Sequence, residues 1–117
     1  MCIYFRLGSI DMICFGLGRI SSSDSAAIQF SLLLHLQETL SPSIELVECF
    51  DPLFGKNEIN ICHKFNISVY GDNSRGIFKA NGGRVLFYMP HCPYRLYSNV
   101  IWSHREHLSN ICILGNR

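Results

Sequence analysis

Charge is scarce in this sequence. Asp, Glu, Lys and Arg make up 16% of 117 residues, against 48% apolar residues, and the formal net charge is +1. A chain so close to neutral lacks the electrostatic footprint of a nucleic-acid binder. Arg6, Arg19, Lys56, Lys64, Arg75, Lys79 and Arg84 are scattered and form no stripe, so direct DNA or RNA binding is not expected. No apolar run is long enough to span a bilayer. The N-terminal stretch is broken by Arg6 and Asp11 and lacks a small-residue cleavage site, so it does not read as a secretion signal. The apolar content argues against disorder, and the length is that of one domain with a core of its own.

Six cysteines are present, and none form a C-x-x-C pair: Cys2, Cys14, Cys49, Cys62, Cys92 and Cys112. An even count suits a disulfide framework in a secreted protein. Cys14, Cys49 and Cys112 instead lie in apolar, strand-like runs, where a free cysteine behaves as a small hydrophobe. The expectation is a reduced, cytoplasmic protein. On that reading the sequon Asn66-Ile67-Ser68 has no consequence.

Strand-like and helix-like segments alternate. Asp11-Met12-Ile13-Cys14-Phe15 reads as a buried strand ending in the turn Gly16-Leu17-Gly18. Ser21, Ser22, Ser23 and Asp24 offer N-caps for a helix carrying Ile28, Leu32, Leu36 and Leu40 at four-residue spacing, with Phe30, Leu33 and Leu34 alongside. Ser41-Pro42 stops it. A second strand over 44–50 ends at Asp51-Pro52. Asn57 is expected to cap a short helix through Phe65, with a third strand over 67–70. The clearest strand, over 84–89, ends at Pro90. The spacing then predicts a helix over 94–108, with Leu96, Val100 and Leu108 on one stripe, and a fifth strand over 111–114. Segment 71–83 reads as a crossover, or as a hairpin of 77–80 with Arg84-Val85 turned at Asn81-Gly82.

This order implies a single α/β domain over 1–117. The expected architecture is a Rossmann-like three-layer sandwich with a mostly parallel sheet of five strands, ordered 3-2-1-4-5. A last strand at the chain terminus would lack a covering helix on one face, so the chain reads as truncated at its C-terminus.

Ligands of open parallel sheets collect beyond the carboxyl ends of the strands. Gly16, Gly18, Asp51, Pro90, His91, Cys92 and Asn116 are all expected along that edge. Gly16-x-Gly18 before a serine cluster suits an anion, but the third glycine of the dinucleotide fingerprint is replaced by Ser21. Asp51 can bond a ribose or amino group, or simply fix the Pro52 turn. His91 and Cys92 invite a nucleophile-and-base reading. Neighbouring residues leaving a strand diverge, so a base would come from His63, His104 or His107. Zinc ligand spacing is absent, and no metal site is assigned. Cys92-Pro93 also fits a minimal Cys-Pro haem-responsive dipeptide, with a thiolate on iron. His104 and His107 read as a solvated pair, and Tyr94, Tyr97 and Trp102 as residues packing the last helix on the sheet.

Several strings together resemble one family. They are Cys14-Phe15-Gly16-Leu17-Gly18 with the serine turn and Gln29-Phe30; Asp51-Pro52-Leu53-Phe54 followed by Glu58; Phe87-Tyr88-Met89-Pro90-His91-Cys92-Pro93 with Leu96-Tyr97-Ser98-Asn99 and Trp102; and Ile113-Leu114-Gly115-Asn116. In this order they resemble the sensitivity-to-red-light-reduced (SRR-like) domain over residues 12–116. The Met-Pro-His-Cys string is the specific part. The family usually continues past the Gly-Asn turn, whereas Arg117 ends this chain. The resemblance implies a regulatory protein of the circadian clock, of light signalling in plants and of haem biosynthesis control in animals, in cytoplasm and nucleus. It implies no catalytic residues and no settled cofactor.

The expectation is therefore a regulatory protein with protein partners and a ligand-binding edge comprising Gly16, Gly18, Ser21, Asp51, Pro90, His91, Cys92, Asn99 and Asn116. Two alternatives remain: an enzyme binding a nucleotide-type or S-adenosylmethionine-type ligand, and haem sensing through Cys92.

Overall fold

The computed structural model describes residues 10–40, 44–69, 84–90 and 92–115, with Glu45 described by its backbone alone. Five strands form one sheet: β1 (Ile10–Phe15), β2 (Ile44–Phe50), β3 (Ser68–Val69), β4 (Arg84–Met89) and β5 (Ile111–Gly115). The sheet order is β3-β2-β1-β4-β5 and every pairing is parallel. This is the α/β architecture and strand order expected from the sequence. Among the described residues three helices connect or cover the strands: α1 (Asp24–Leu40), α2 (Lys56–Lys64) and α3 (Tyr94–Ser103). A short 3-10 turn, Leu108–Asn110, leads into β5.

The two central strands are apolar on both faces because both faces are covered. On one side Met12 and Cys14 of β1, Val47 and Cys49 of β2, and Leu86 and Tyr88 of β4 pack under Phe30 and Leu33 of α1 and Cys62 of α2. On the other side Ile13 and Phe15 of β1 join Val85, Phe87 and Met89 of β4 beneath Val100 of α3. Period-two alternation therefore splits each strand between two cores. The segment 71–83 lies outside the described residues. Among the described residues β4 is flanked by β1 and β5.

Helix α1 differs from its expected orientation. Its buried residues are Ala26, Phe30 and Leu33, while Ile28 is 69% exposed and Leu32 is also exposed. A four-residue step overshoots one turn by about 40°, so the row Ile28, Leu32, Leu36, Leu40 drifts around the helix and only its later members approach the sheet. Helix α3 ends earlier than expected. His104 turns its ring inward, edge-on to Phe87 at 5.3 Å, and its backbone N–H bonds the Ile101 carbonyl in a tightened last turn. Leu108 consequently lies beyond the helix and is exposed, off the Leu96–Val100 stripe.

The described cysteines are all free thiols. Cys14 and Cys49 are register partners on β1 and β2, and Cys62 packs on them from α2, all three fully buried. Hydrogen bonding with Cys14, and then burial, pushes the Cys49 thiol upward against an opposing contribution from Cys62. Hydrogen bonding with Cys49, and then burial, pushes the Cys62 thiol upward, so neither of these two is a ready thiolate. Cys112 departs from expectation, because it is exposed. With Leu114 it occupies the exposed face of edge strand β5.

Candidate functional site

The carboxyl ends of β1 and β2 are joined by one side chain. Asp51, buried just after β2, uses both carboxylate oxygens on backbone donors. Its Oδ1 accepts from Leu53 N–H at 2.8 Å, which closes the turn through Pro52. Its Oδ2 accepts from Gly18 N–H at 2.9 Å, across 33 residues. The turn after β1 can offer that donor because Gly16 and Gly18 have φ of 79° and 80°, a region that favours glycine.

A second carboxylate completes the arrangement. Glu58 is buried in the first turn of α2. Its Oε1 accepts from Gly55 N–H at 2.9 Å, closing the helix start. Its Oε2 accepts from Ser21 N–H at 3.1 Å and from the Ser21 hydroxyl. The Ser21 hydroxyl, and after it the Gly55 and Ser21 backbone N–H groups, hold the Glu58 carboxyl down at about 2, against the opposing effect of burial. Glu58 caps α2 in place of the expected Asn57, which is exposed.

Gly18 and Ser21 thus give their backbone N–H groups to the chain's own carboxylates. The α1 N-terminus is also capped internally: Ser23 Oγ accepts from Ala26 N–H at 3.3 Å, and Asp24 stands in the first turn. A cavity of about 410 Å³ remains beside this turn, lined by Gly16, Gly18, Arg19, Ser22, Ser25 and Asp51 among others. Of the expected site residues, Gly16, Gly18 and Asp51 share this cavity. Ser21 is turned away to Glu58.

The β4 end approaches from the other side of β1. Pro90 is half-buried just after β4. The Cys92 thiol donates to the Phe15 carbonyl at 3.5 Å and packs into the α3-side core. This bond seats the β4–α3 connection against the end of β1, where the sheet order reverses. A thiolate on haem iron would have to give up that bond and that packing. Asn99 is half-buried midway along α3, its carbonyl accepting from the Ser103 hydroxyl at 2.8 Å. His91 and Asn116 lie outside the described residues.

The histidines do not form the solvated pair that their spacing suggests. His104 is buried, its Nδ1 2.8 Å from the Val100 carbonyl, while His107 is exposed. Of the three aromatics assigned to packing, Tyr97 does so, donating its hydroxyl to the Met89 carbonyl at 2.6 Å. Tyr94 and Trp102 instead face outward. Among the described residues no group of three or more His, Cys, Asp or Glu is placed to hold a metal ion. Nor is any helix among them long and apolar enough to cross a membrane. The roles of Glu58 and His104 escaped sequence reasoning. Gly55-x-x-Glu58 carries only half of a capping-box signal, and nothing in the sequence marked His104 as buried.

Gly18 offers a clean test of the turn. A methyl group there would meet the Ala26 Cβ at 3.7 Å, an ordinary contact, so only the backbone conformation resists substitution. Gly18→Ala is expected to cost about 1–2 kcal/mol, read as a lower urea midpoint with an unchanged slope.

Comparison with known proteins places the chain in one family. A model of the SRR1 domain matches residues 7–117. The mouse SRR1-like protein is 32% identical over 109 residues, covering 92% of this chain and 44% of that protein. The Arabidopsis thaliana protein SENSITIVITY TO RED LIGHT REDUCED 1 is 29% identical over 109 residues, covering 92% and 39%. The Drosophila melanogaster SRR1-like protein is 31% identical over 109 residues, covering 90% and 38%. The chain thus spans less than half the length of these curated relatives. No solved structure matches. With the SRR1 domain model covering nearly its whole length, the chain belongs to the SRR1 domain family.

Proposed function

We propose that this chain is a regulatory domain that works by binding. It acts in circadian-clock and light-linked control and, in animals, in control of haem biosynthesis, within cytoplasm and nucleus. The observation that carries the reading is the use of the polar groups at the strand ends. Asp51 and Glu58 spend their oxygens on backbone and serine donors, and Cys92 gives its proton to a carbonyl. No nucleophile and base pair is left among the described residues of this edge. The plant relative's name, which refers to red-light sensitivity, supports a signalling role. Its partners are proteins, met through the Pro90–Cys92 segment and Asn99, with neither nucleic acid nor membrane bound directly.

The cavity beside Gly16, Gly18 and Asp51 favours a second reading, an enzyme that binds a nucleotide-type or S-adenosylmethionine-type cofactor. One experiment separates the two. The chain is screened by thermal shift against nucleotides, S-adenosylmethionine and nicotinamide cofactors, with turnover assayed for every hit. Protein capture is compared between wild type, His91→Ala and Asn99→Ala. The regulatory reading expects no turnover and loss of partners in the variants. Product formation, or a captured set unchanged by either substitution, would count against it.

A further inference from the structure

The outer face of α3 has an unusual composition. At about 100° per residue, Ile101, Tyr94, Ser98, Trp102 and Arg95 fall within about 120° of arc, opposite Leu96 and Val100, which pack on the sheet. Arg105, in the turn after α3, joins this face through Trp102. Tyr94 is 90% exposed, Trp102 66% and Ile101 45%. The Arg105 guanidinium lies 4.1 Å from the Trp102 ring centre, and its Nη1 donates to the Trp102 carbonyl at 2.9 Å. Ring and guanidinium are therefore already ordered, and the stacked guanidinium keeps further donors for a carboxylate. No Asp or Glu occurs from 94 to 105; the nearest downstream acid is Glu106, exposed beyond the helix. Exposed Trp, Tyr and Arg together are the residues that dominate protein interfaces.

We propose that this face docks an acidic, amphipathic segment of a partner protein, with an apolar side chain seated against Trp102, Tyr94 and Ile101 and carboxylates on Arg95 and Arg105. Charge selects this occupant. A second copy of the chain, meeting this face about a two-fold axis, would set Arg against Arg. A single nucleic-acid strand would gain little counterion release from two arginines in a chain of net charge +1. The inference rests on the reading that the chain acts through protein partners, and it names the chemistry of one.

Trp102 is the protein's only tryptophan, so its emission reports on this face alone. The 117-residue chain is titrated with a synthetic helical peptide bearing Glu at i and i+4 around Leu and Phe, with a matched peptide bearing Lys for Glu, and with a single-stranded DNA oligonucleotide. The Glu peptide is expected to give a saturable change in Trp102 emission, weakened at least tenfold in the Lys peptide. Arg95→Glu with Arg105→Glu should weaken it at least tenfold while the circular dichroism and urea midpoint stay at wild type. Trp102→Ala, read by anisotropy of labelled peptide, should weaken it as strongly. The proposal is overturned by no saturable change, by equal response to both peptides, by tighter binding of the oligonucleotide, or by self-association that accounts for the emission change. Failure here with partner capture still sensitive to Asn99→Ala removes this surface alone. Turnover in the cofactor screen removes the regulatory reading, whatever the peptide does.

Discussion

Glu58→Ala lowers the stability of this domain by about 3 kcal/mol, a large share of the roughly 5–15 kcal/mol typical of a folded domain. The substitution strands three donors: the Gly55 N–H, the Ser21 N–H and the Ser21 hydroxyl. It also unfastens α2 from the turn that leads into α1, two elements that share one core. The expected result is a fall in melting temperature on the order of 10 °C. Glu58→Gln keeps an acceptor oxygen and should cost less. The pH dependence identifies the charge. The folded carboxyl titrates at about 2 against an ordinary value of 4.5. Its stabilising effect is therefore full above pH 4.5 and disappears as pH falls toward 2. The stability gap between wild type and Glu58→Gln should narrow over that window in urea melts. A gap of constant size down to the lowest pH would refute the charge-based account. Ser21→Ala combined with Glu58→Ala should fall well short of additivity, because both remove the same contact.

Asp51→Ala is expected to cost a similar amount, about 3 kcal/mol, for a different geometric reason. Here two backbone N–H groups, Gly18 and Leu53, lose their acceptor, the buried Asp51 carboxylate. Neither group can rotate away as a side chain could. Asp51→Asn keeps one oxygen and turns an amide N–H₂ toward the other donor, so it should lie between wild type and alanine. The measurement is the urea midpoint of all three proteins. If Asn matched wild type, one of the two bonds would be contributing nothing. Because Gly18 supplies one donor, Gly18→Ala and Asp51→Ala should be non-additive. The exposed α3 variants, by contrast, should leave the urea midpoint where it is while changing binding. The two sets of residues thus separate stability from recognition.

Much of this architecture is legible in the amino-acid sequence. The alternation of apolar strands with amphipathic segments dictates the α/β class. The short connections and right-handed crossover preference lead to the order 3-2-1-4-5, because few other orders satisfy them. Strands buried on both faces announce themselves as continuous apolar runs, as in β1 and β4. The family landmarks are readable because they are local strings. Topology alone is enough to place the glycine turn and Asp51 at one sheet edge.

What only the tertiary structure decided were contacts between residues far apart in sequence, and the aim of individual side chains. Ser21 and Glu58 lie 37 residues apart, and no local pattern reports that pairing. Cys62 joined Cys14 and Cys49 for the same reason: α2 had to be laid on β1 and β2 first. Periodicity finds a helix but fixes its rotation only to within the width of its apolar face, so Ile28 and Leu32 belong to the apolar row by spacing and are exposed. The same latitude let Trp102 and Tyr94 pass for packing residues. His104 settled the matter by ending α3 and turning inward on Phe87, which left the tryptophan and its arginine on the surface.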